Sequence, residues 1–469
     1  MKTIFPFIFA FLSISCFSQG EANNWYFGDN AGITFNTNPP SALTDGQLST
    51  PEGCSSISDA NGNLLMYTDG RTIWNRNHQI MSNANYFGGT GLNGDPSSTS
   101  SGLIVPHPTN PNLYFVFTID EPHHENANAY TGRGPANSSG NSIPVYTDTN
   151  TGIPDADDGF NNGLNYSIVD LTLNGGLGDV VTGEKNKELI TYDPTDSEEI
   201  KYKASEKITA VRGRDCNSVW LITHFRNKFY AFIIDDDGLD ETPVISEVPP
   251  LLETTNYRRA ALGYLKASPN ADKLLIAHNT TTFNPEAGNA DDGNGNVYAY
   301  DFDNLGGTVS NPVELINNVN AYGVEFSQDG TKAYATIRDP LPRIYQWDLE
   351  STDIFNSISL IADIDQTTAI QLGPDGRIYH SIINSSTLGV ISNPDEDASL
   401  VQYSQTSAGG AVFLNGRIAS FGLPPFIQSL FSKRIPIVDA PEGEVIEQVA
   451  LCDTLNYQLS FDNISGATY

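Results

Sequence analysis

From Ala321 to Leu349 apolar and polar positions alternate with a period of two, and the alternation breaks where a turn can form. Val324 and Phe326 alternate with polar neighbours. Asp329-Gly330 supplies a turn pair tolerant of positive φ, and Tyr334, Ile337, Ile344, Tyr345 and Trp347 bring the branched and aromatic content that strands favour. The stretch therefore predicts strand, tight turn, strand, loop, strand. One such sheet cannot bury both faces alone, so it requires neighbours of the same kind.

The chain supplies them. Turns followed by apolar runs recur at Asn61-Gly62 with Leu64–Tyr67, Asn110-Pro-Asn112 with Leu113–Phe117, Asn217 with Val219–Ile222, Asn270-Ala-Asp272 with Leu274–Ile276, Asp375-Gly376 with Ile378-Tyr379, and Gly416 with Ile418. With the opening unit these make seven occurrences, of which Ala321–Leu349 reads as the fifth. Most successive turns lie roughly 45 to 57 residues apart, the period of a four-stranded propeller blade. The predicted fold is all-β, a β-propeller of about seven four-stranded blades spanning residues 20–431.

Three regions depart from the repeat. Residues 121–162, rich in Gly, Asn, Pro and Ser, read as an elaborated loop on one face. Trp25–Phe27 and Ile33–Phe35 form a hairpin without a blade of its own, expected to complete the short last repeat and so close the ring and remove an open sheet edge. Residues 432–444 read as a linker, and 445–469 as the truncated start of an immunoglobulin-like or polycystic-kidney-disease (PKD) β-sandwich.

Composition narrows the setting. With 24 basic and 56 acidic residues the net charge is -32, which disfavours nucleic acid and anionic membrane surfaces. Lys2, the apolar run from Ile4 to Phe11 and small residues before Gln19 have the order of a secretory signal peptide, covering residues 1–19. Cys16 leaves a lipoprotein alternative open. No other run approaches spanning length, so no membrane insertion is expected. Cys54, Cys216 and Cys452 are too few and too widely spaced for a disulfide framework and read as buried thiols, with a Cys54–Cys216 bridge as the alternative.

The sequence lacks the Gly-x-Ser-x-Gly elbow, the phosphate-binding Gly-x-x-x-x-Gly-Lys and paired zinc-type cysteines. His124-Glu125 begins like a metalloprotease helix, but Asn128 stands where a second imidazole is required. Asp148, Asn150, Asp155, Asp157 and Asp158 gather five oxygen ligands on a flexible stretch, the donor set that calcium takes, and are the candidate metal ligands; no other cofactor is expected. The run resembles the Asp-rich calcium-binding repeats of thrombospondin type. Asp235–Asp237 and Asp291-Asp292 are thinner versions that read as solvated turns. His224, His278 and His380 fall near strand ends in three repeats, where they either converge on an axial channel or serve as ordinary buried or surface histidines.

Trp25-Tyr-Phe-Gly-Asp-Asn-Ala-Gly-Ile-Thr-Phe35, Glu52-Gly-Cys-Ser-Ser-Ile-Ser-Asp59, Ser167–Asp179, Tyr322-Gly-Val-Glu-Phe-Ser327 and Gln371-Leu-Gly-Pro-Asp-Gly-Arg-Ile-Tyr379 together resemble the N-terminal propeller of large secreted proteins of gliding Gram-negative bacteria. In those proteins PKD or immunoglobulin-like modules follow, then a type B sorting domain read by the type IX secretion system. The resemblance implies export to the cell surface or medium and supplies no catalytic residues. The expectation is a non-enzymatic binding or adhesion module, a monomeric propeller within a longer chain, with a protein or glycan partner at the cell surface. The alternatives are a metal-dependent propeller hydrolase or lactonase and a structural spacer.

Overall fold

A computed structural model describes residues 20–122, 162–197, 199–214, 217–254, 257–280 and 294–431, together with two short strands, Ile437–Val438 and Val445–Glu447, that pair with each other. The leader, the body of the 121–162 insertion with its five candidate calcium ligands, Asp291-Asp292, Cys216 and most of the C-terminal segment lie outside the described residues. Within them the structure is all-β, built of antiparallel sheets formed in chain order with a few short helical turns.

The first sheet comprises Asn24–Phe27, Ala31–Thr34 and Ser41–Leu43, and the second Ser55–Ser58, Leu64–Thr68 and Ile73–Asn75. The third runs from Gly102–Pro106 through Leu113–Ile119 and Leu164–Asp170, the fourth from Ile208–Arg212 through Val219–Phe225 and Lys228–Asp235. Thr308–Phe326 serves two sheets. Its first part pairs with Gly295–Asp303 to end the fifth sheet, begun by Leu265–Ala267 and Lys273–His278; its second part pairs with Lys332–Arg338 to begin the sixth. Ile370–Leu372, Ile378–His380, Thr387–Ser392 and Gln402–Ser404 make the seventh. The leading strands of successive sheets touch one another in this order.

The repeated turns work as their composition predicts. Gly62, Ala271, Gly330 and Gly376 occupy equivalent positions at φ between 61° and 80°, and in three of these turns a preceding aspartate, Asp59, Asp329 or Asp375, ties down backbone N–H groups. Asp59 Oδ1 accepts from Asn61 N and Asn63 N, and Asp329 Oδ1 from Thr331 N. A Cβ at Gly330 would stand 2.6 Å from Asn270 Nδ2, so glycine is required there for space as well as for φ.

Two details of the sequence prediction are corrected. Trp25–Phe27 and Ile33–Phe35 do not add to the last sheet. They pair with each other, and Ala31–Thr34 pairs in turn with Ser41–Leu43, as a sheet of their own, because that third strand follows within a few residues and supplies the local partner. Contact with the chain's end runs through one backbone bridge, Asp29 with Ile418, and through Trp25, whose ring lies 5.7 Å from Tyr379 and 5.8 Å from Phe426. Conversely Gly416-Ile418 begins no sheet; the segment only lends Val412-Phe413 to the seventh. The unit at Ala321–Leu349 is therefore sixth in order rather than fifth.

The core lies between sheets. Residues such as Trp220, Ile222, Ile276, Tyr300 and Phe302 fill the gap between fourth and fifth sheets, and Trp25, Tyr334, Trp347 and Tyr379 belong to the largest cluster. Since each sheet is covered on both faces, alternation does not mark exposure near the leading strands: Val324, Glu325 and Phe326 are all fully buried.

Candidate active site among the leading strands

Segments that enter the leading strands bring ionisable side chains together from several sheets. Glu52 precedes the second sheet. Its backbone is wedged between two other segments: the N–H groups of Glu52 and Gly53 donate to Pro96 O at 3.0 and 2.9 Å, and a Cβ at Gly422 would collide with Glu52 O. The Tyr322 hydroxyl of the sixth sheet donates to Glu52 Oε1 at 3.0 Å. Glu206 precedes the fourth sheet and is fully buried. One of its oxygens, Oε2, accepts from both Thr99 N (2.8 Å) and Thr99 Oγ1 (2.7 Å), whereas Oε1 has no hydrogen-bond partner. Lys207 turns to the fifth sheet and donates from Nζ to Ala260 O at 3.0 Å and to Ala261 O.

The electrostatics follow from burial and from like charge. Desolvation, then the charge of Glu206, then Glu121 and Asp95 hold the Glu52 carboxyl well above the usual range, against the pull of the Tyr322 hydrogen bond. Burial and Glu121 push Glu206 up to about 8, although both Thr99 donors and Lys207 favour its ionised form. Burial brings the Lys207 ammonium down to about 7, opposed by Glu206. Of Glu52, Asp95, Glu121 and Glu206, Glu52 alone keeps appreciable exposure. Glu52, raised by burial and by the charge of Glu206, and Glu206, raised by burial and by Glu121, do not both ionise near neutrality, so the site holds a proton.

Glu121 also marks the base of the long insertion. Asp120 Oδ2 accepts from Asn162 N at 2.6 Å, so the two stems of that loop meet beside the carboxyl cluster.

His224 and His278 are brought together, with ring centres 5.1 Å apart, but His380 is not among them. Its Nε2 pairs with Thr368 Oγ1 and its Nδ1 with Tyr403 Oη, both at 2.8 Å, and burial lowers it to about 4. Asp235, Asp236 and Asp237 form a tight group on a turn, with Asp236 and Asp237 exposed; among the described residues they are the only three metal-capable His, Cys, Asp or Glu side chains with ligand atoms within 4.8 Å of one another. Cys54 is a buried free thiol.

Sequence reasoning passed over Glu52, Thr99, Glu206, Lys207 and Tyr322. The available signal was position: Glu206-Lys207 stands directly before the apolar run Ile208–Val211, and Thr99 just before Gly102–Val105, where each chain segment enters its leading strand.

No family model matches the chain, and no curated protein matches it in sequence. Solved structures similar to it include the periplasmic gluconolactonase of Pseudomonas aeruginosa, 11% identical, with a TM-score of 0.44, covering 85% of this chain and 97% of that one. A Bacteroides uniformis protein described as a 6-phosphogluconolactonase is 11% identical with a TM-score of 0.45, over 85% and 98% of the two chains. The β-propeller domain of Myceliophteria thermophila Cps50 (Swd1) is 11% identical with a TM-score of 0.35, over 82% and 96%. The architecture is that of a β-propeller. The expectation of a non-enzymatic binding or adhesion module is corrected at this point: the similar structures include proteins described as lactonases. In this chain the segments entering the leading strands also enclose carboxyls raised above their ordinary range and an amine lowered below its own.

Proposed function

We propose that this chain is a hydrolase that cleaves an ester or lactone by general acid and base catalysis at the Glu52–Glu206 pair. The observation that carries the reading is the pair itself: two carboxyls from different sheets, each oriented by a hydroxyl donor, Tyr322 for Glu52 and Thr99 for Glu206, and both raised by burial, Glu52 also by the charge of Glu206. With the pair's proton on Glu206, the charge that most raises Glu52 is neutralised, and Glu52, the more exposed partner, acts as the carboxylate base. It takes a proton from water as the water oxygen bonds to the carbonyl carbon. Glu206 acts as the acid and passes its proton to the leaving oxygen as the carbon–oxygen bond breaks. Exchange with solvent then moves that proton from Glu52 to Glu206 and restores the starting state.

Three further readings accompany this one. The order of contact among the leading strands, with Trp25 against Tyr379 and Phe426, supports a closed ring of seven sheets in which the first and seventh are neighbours. The leader-like first nineteen residues and the motif resemblance support export by the type IX route, which cell fractionation tests. The alternating residues after Val445 support a further sandwich module.

The test is hydrolysis of a panel of sugar lactones, aliphatic lactones and aryl esters by the full chain, alongside Glu52→Gln and Glu206→Gln. The expected outcome is turnover by the parent protein and a loss of about 10²–10⁴-fold in each variant, with unchanged circular dichroism. Absence of turnover on every substrate, or full activity in Glu206→Gln, overturns the proposal.

A further inference from the structure

Between the fourth and fifth sheets two imidazoles face each other with nothing to bond. His224 lies on the same face of its strand as Trp220 and Ile222, and His278 on the same face as Leu274 and Ile276; these residues form the apolar cluster that joins the two sheets. Both histidines are fully buried. All four ring nitrogens lack a hydrogen-bond partner, in contrast to His380, whose two nitrogens are both paired in an equally buried place. Asn296 stands directly opposite His278 in the antiparallel register and shares its face. It is 6% exposed, and its Oδ1 is likewise without a partner.

A buried polar atom without a partner is costly, and five converge here at one end of a well-packed apolar interface. A neutral imidazole pair with a carbonyl oxygen beside it is a donor set for a borderline metal ion such as zinc. With metal–nitrogen bonds of about 2.0–2.1 Å and tetrahedral angles, two imidazole ligands place their ring centres about 5 Å apart, and the observed separation is 5.1 Å.

We propose that His224 and His278, with Asn296 Oδ1 as a third donor, bind one divalent transition-metal ion of the zinc class and clip the fourth sheet to the fifth. A water completes the shell. The Lys207 ammonium, whose charge reaches both rings, opposes the ion when protonated. The role is structural, and it goes beyond the hydrolase reading, since none of these three residues belongs to the Glu52–Glu206 pair.

The experiment uses the full chain, stripped with chelator and dialysed against zinc or cobalt. One ion per chain is expected, with a higher melting temperature in the loaded protein, a tetrahedral ligand-field spectrum for cobalt, and nitrogen scatterers at about 2.0–2.1 Å in X-ray absorption of the zinc form. His224→Ala and His278→Ala each lower zinc affinity by more than the about 10–100-fold lost with an outer-shell partner, while His380→Ala leaves it unchanged. Zinc bound without nitrogen scatterers, zinc retained by His224→Ala at parent affinity, or no ion at micromolar zinc overturns the proposal. The absorption measurement needs no variant, so misfolding of a substituted chain does not spoil the test. Loss of metal without loss of hydrolysis leaves the acid–base reading standing.

Discussion

Replacing Lys266 by methionine isolates the energetics of the buried ion pair among the leading strands. Lys266 begins the fifth sheet and is 1% exposed. Its Nζ lies 3.3 Å from Glu325 Oε2 of the sixth sheet, which is fully buried, and it also donates to Gln371 of the seventh. Glu325 in turn accepts from Phe326 N and Leu372 N, both at 3.0 Å. Burial raises the Glu325 carboxyl and Lys266 is the largest influence holding it down, so Lys266→Met sends it higher. A folded-state value above the unfolded one leaves the carboxyl protonated in both states at low pH, with no penalty. The penalty grows as pH rises past the unfolded value of about 4.3, at about 1.4 kcal/mol per unit.

At pH 7 the variant is therefore expected to lose stability on the scale of about 3–5 kcal/mol typical of breaking a buried pair, and at pH 5, close to the unfolded value, by no more than about 1 kcal/mol. For a folded unit of about 400 residues the pH 7 cost corresponds to a fall in Tm of roughly 4 °C. Calorimetry of parent and variant at pH 5 and pH 7 reads this directly. A variant equally destabilised at both pH values, or by less than about 1 kcal/mol at pH 7, would refute the reasoning, since the cost would then not come from a stranded carboxylate.

Other outcomes follow from the same contacts. If hydrolysis depends on protonated Glu206, activity falls as pH rises through about 8, and Thr99→Val, which removes a hydrogen bond favouring the ionised carboxyl, moves that alkaline limb upward; a pH–rate profile of both proteins checks it. Trp25→Ala empties a fully buried site packed against Phe35, Tyr379 and Phe426 and is expected to lower stability by about 3–5 kcal/mol in urea titration. Asp59→Ala removes an acceptor shared by two backbone donors in an exposed turn and is expected to lower stability by only about 1 kcal/mol in the same titration.

What the sequence by itself determined is the repeat. Period-two alternation and turn residues are local properties, encoded within a few positions of one another, and they placed the turns at Gly62, Gly330 and Gly376 and the strands around them. The same locality explains the misplaced first sheet: the hairpin at Trp25–Phe35 was legible, but its pairing with Ser41–Leu43 rather than with the last strands depends on which partner is nearer in space. The site lay beyond this reach. Glu52, Thr99, Glu206 and Tyr322 are separated by tens to hundreds of residues; Glu52 and Tyr322 open two of the stretches that carry the family resemblance, but nothing local marks them as partners, and Glu325 reads as an outward-facing polar position until its sheet is covered on both sides. Only the tertiary structure decided which acids lose their water and which of them meet, because desolvation and coupling are properties of the assembled sheets and not of any one of them.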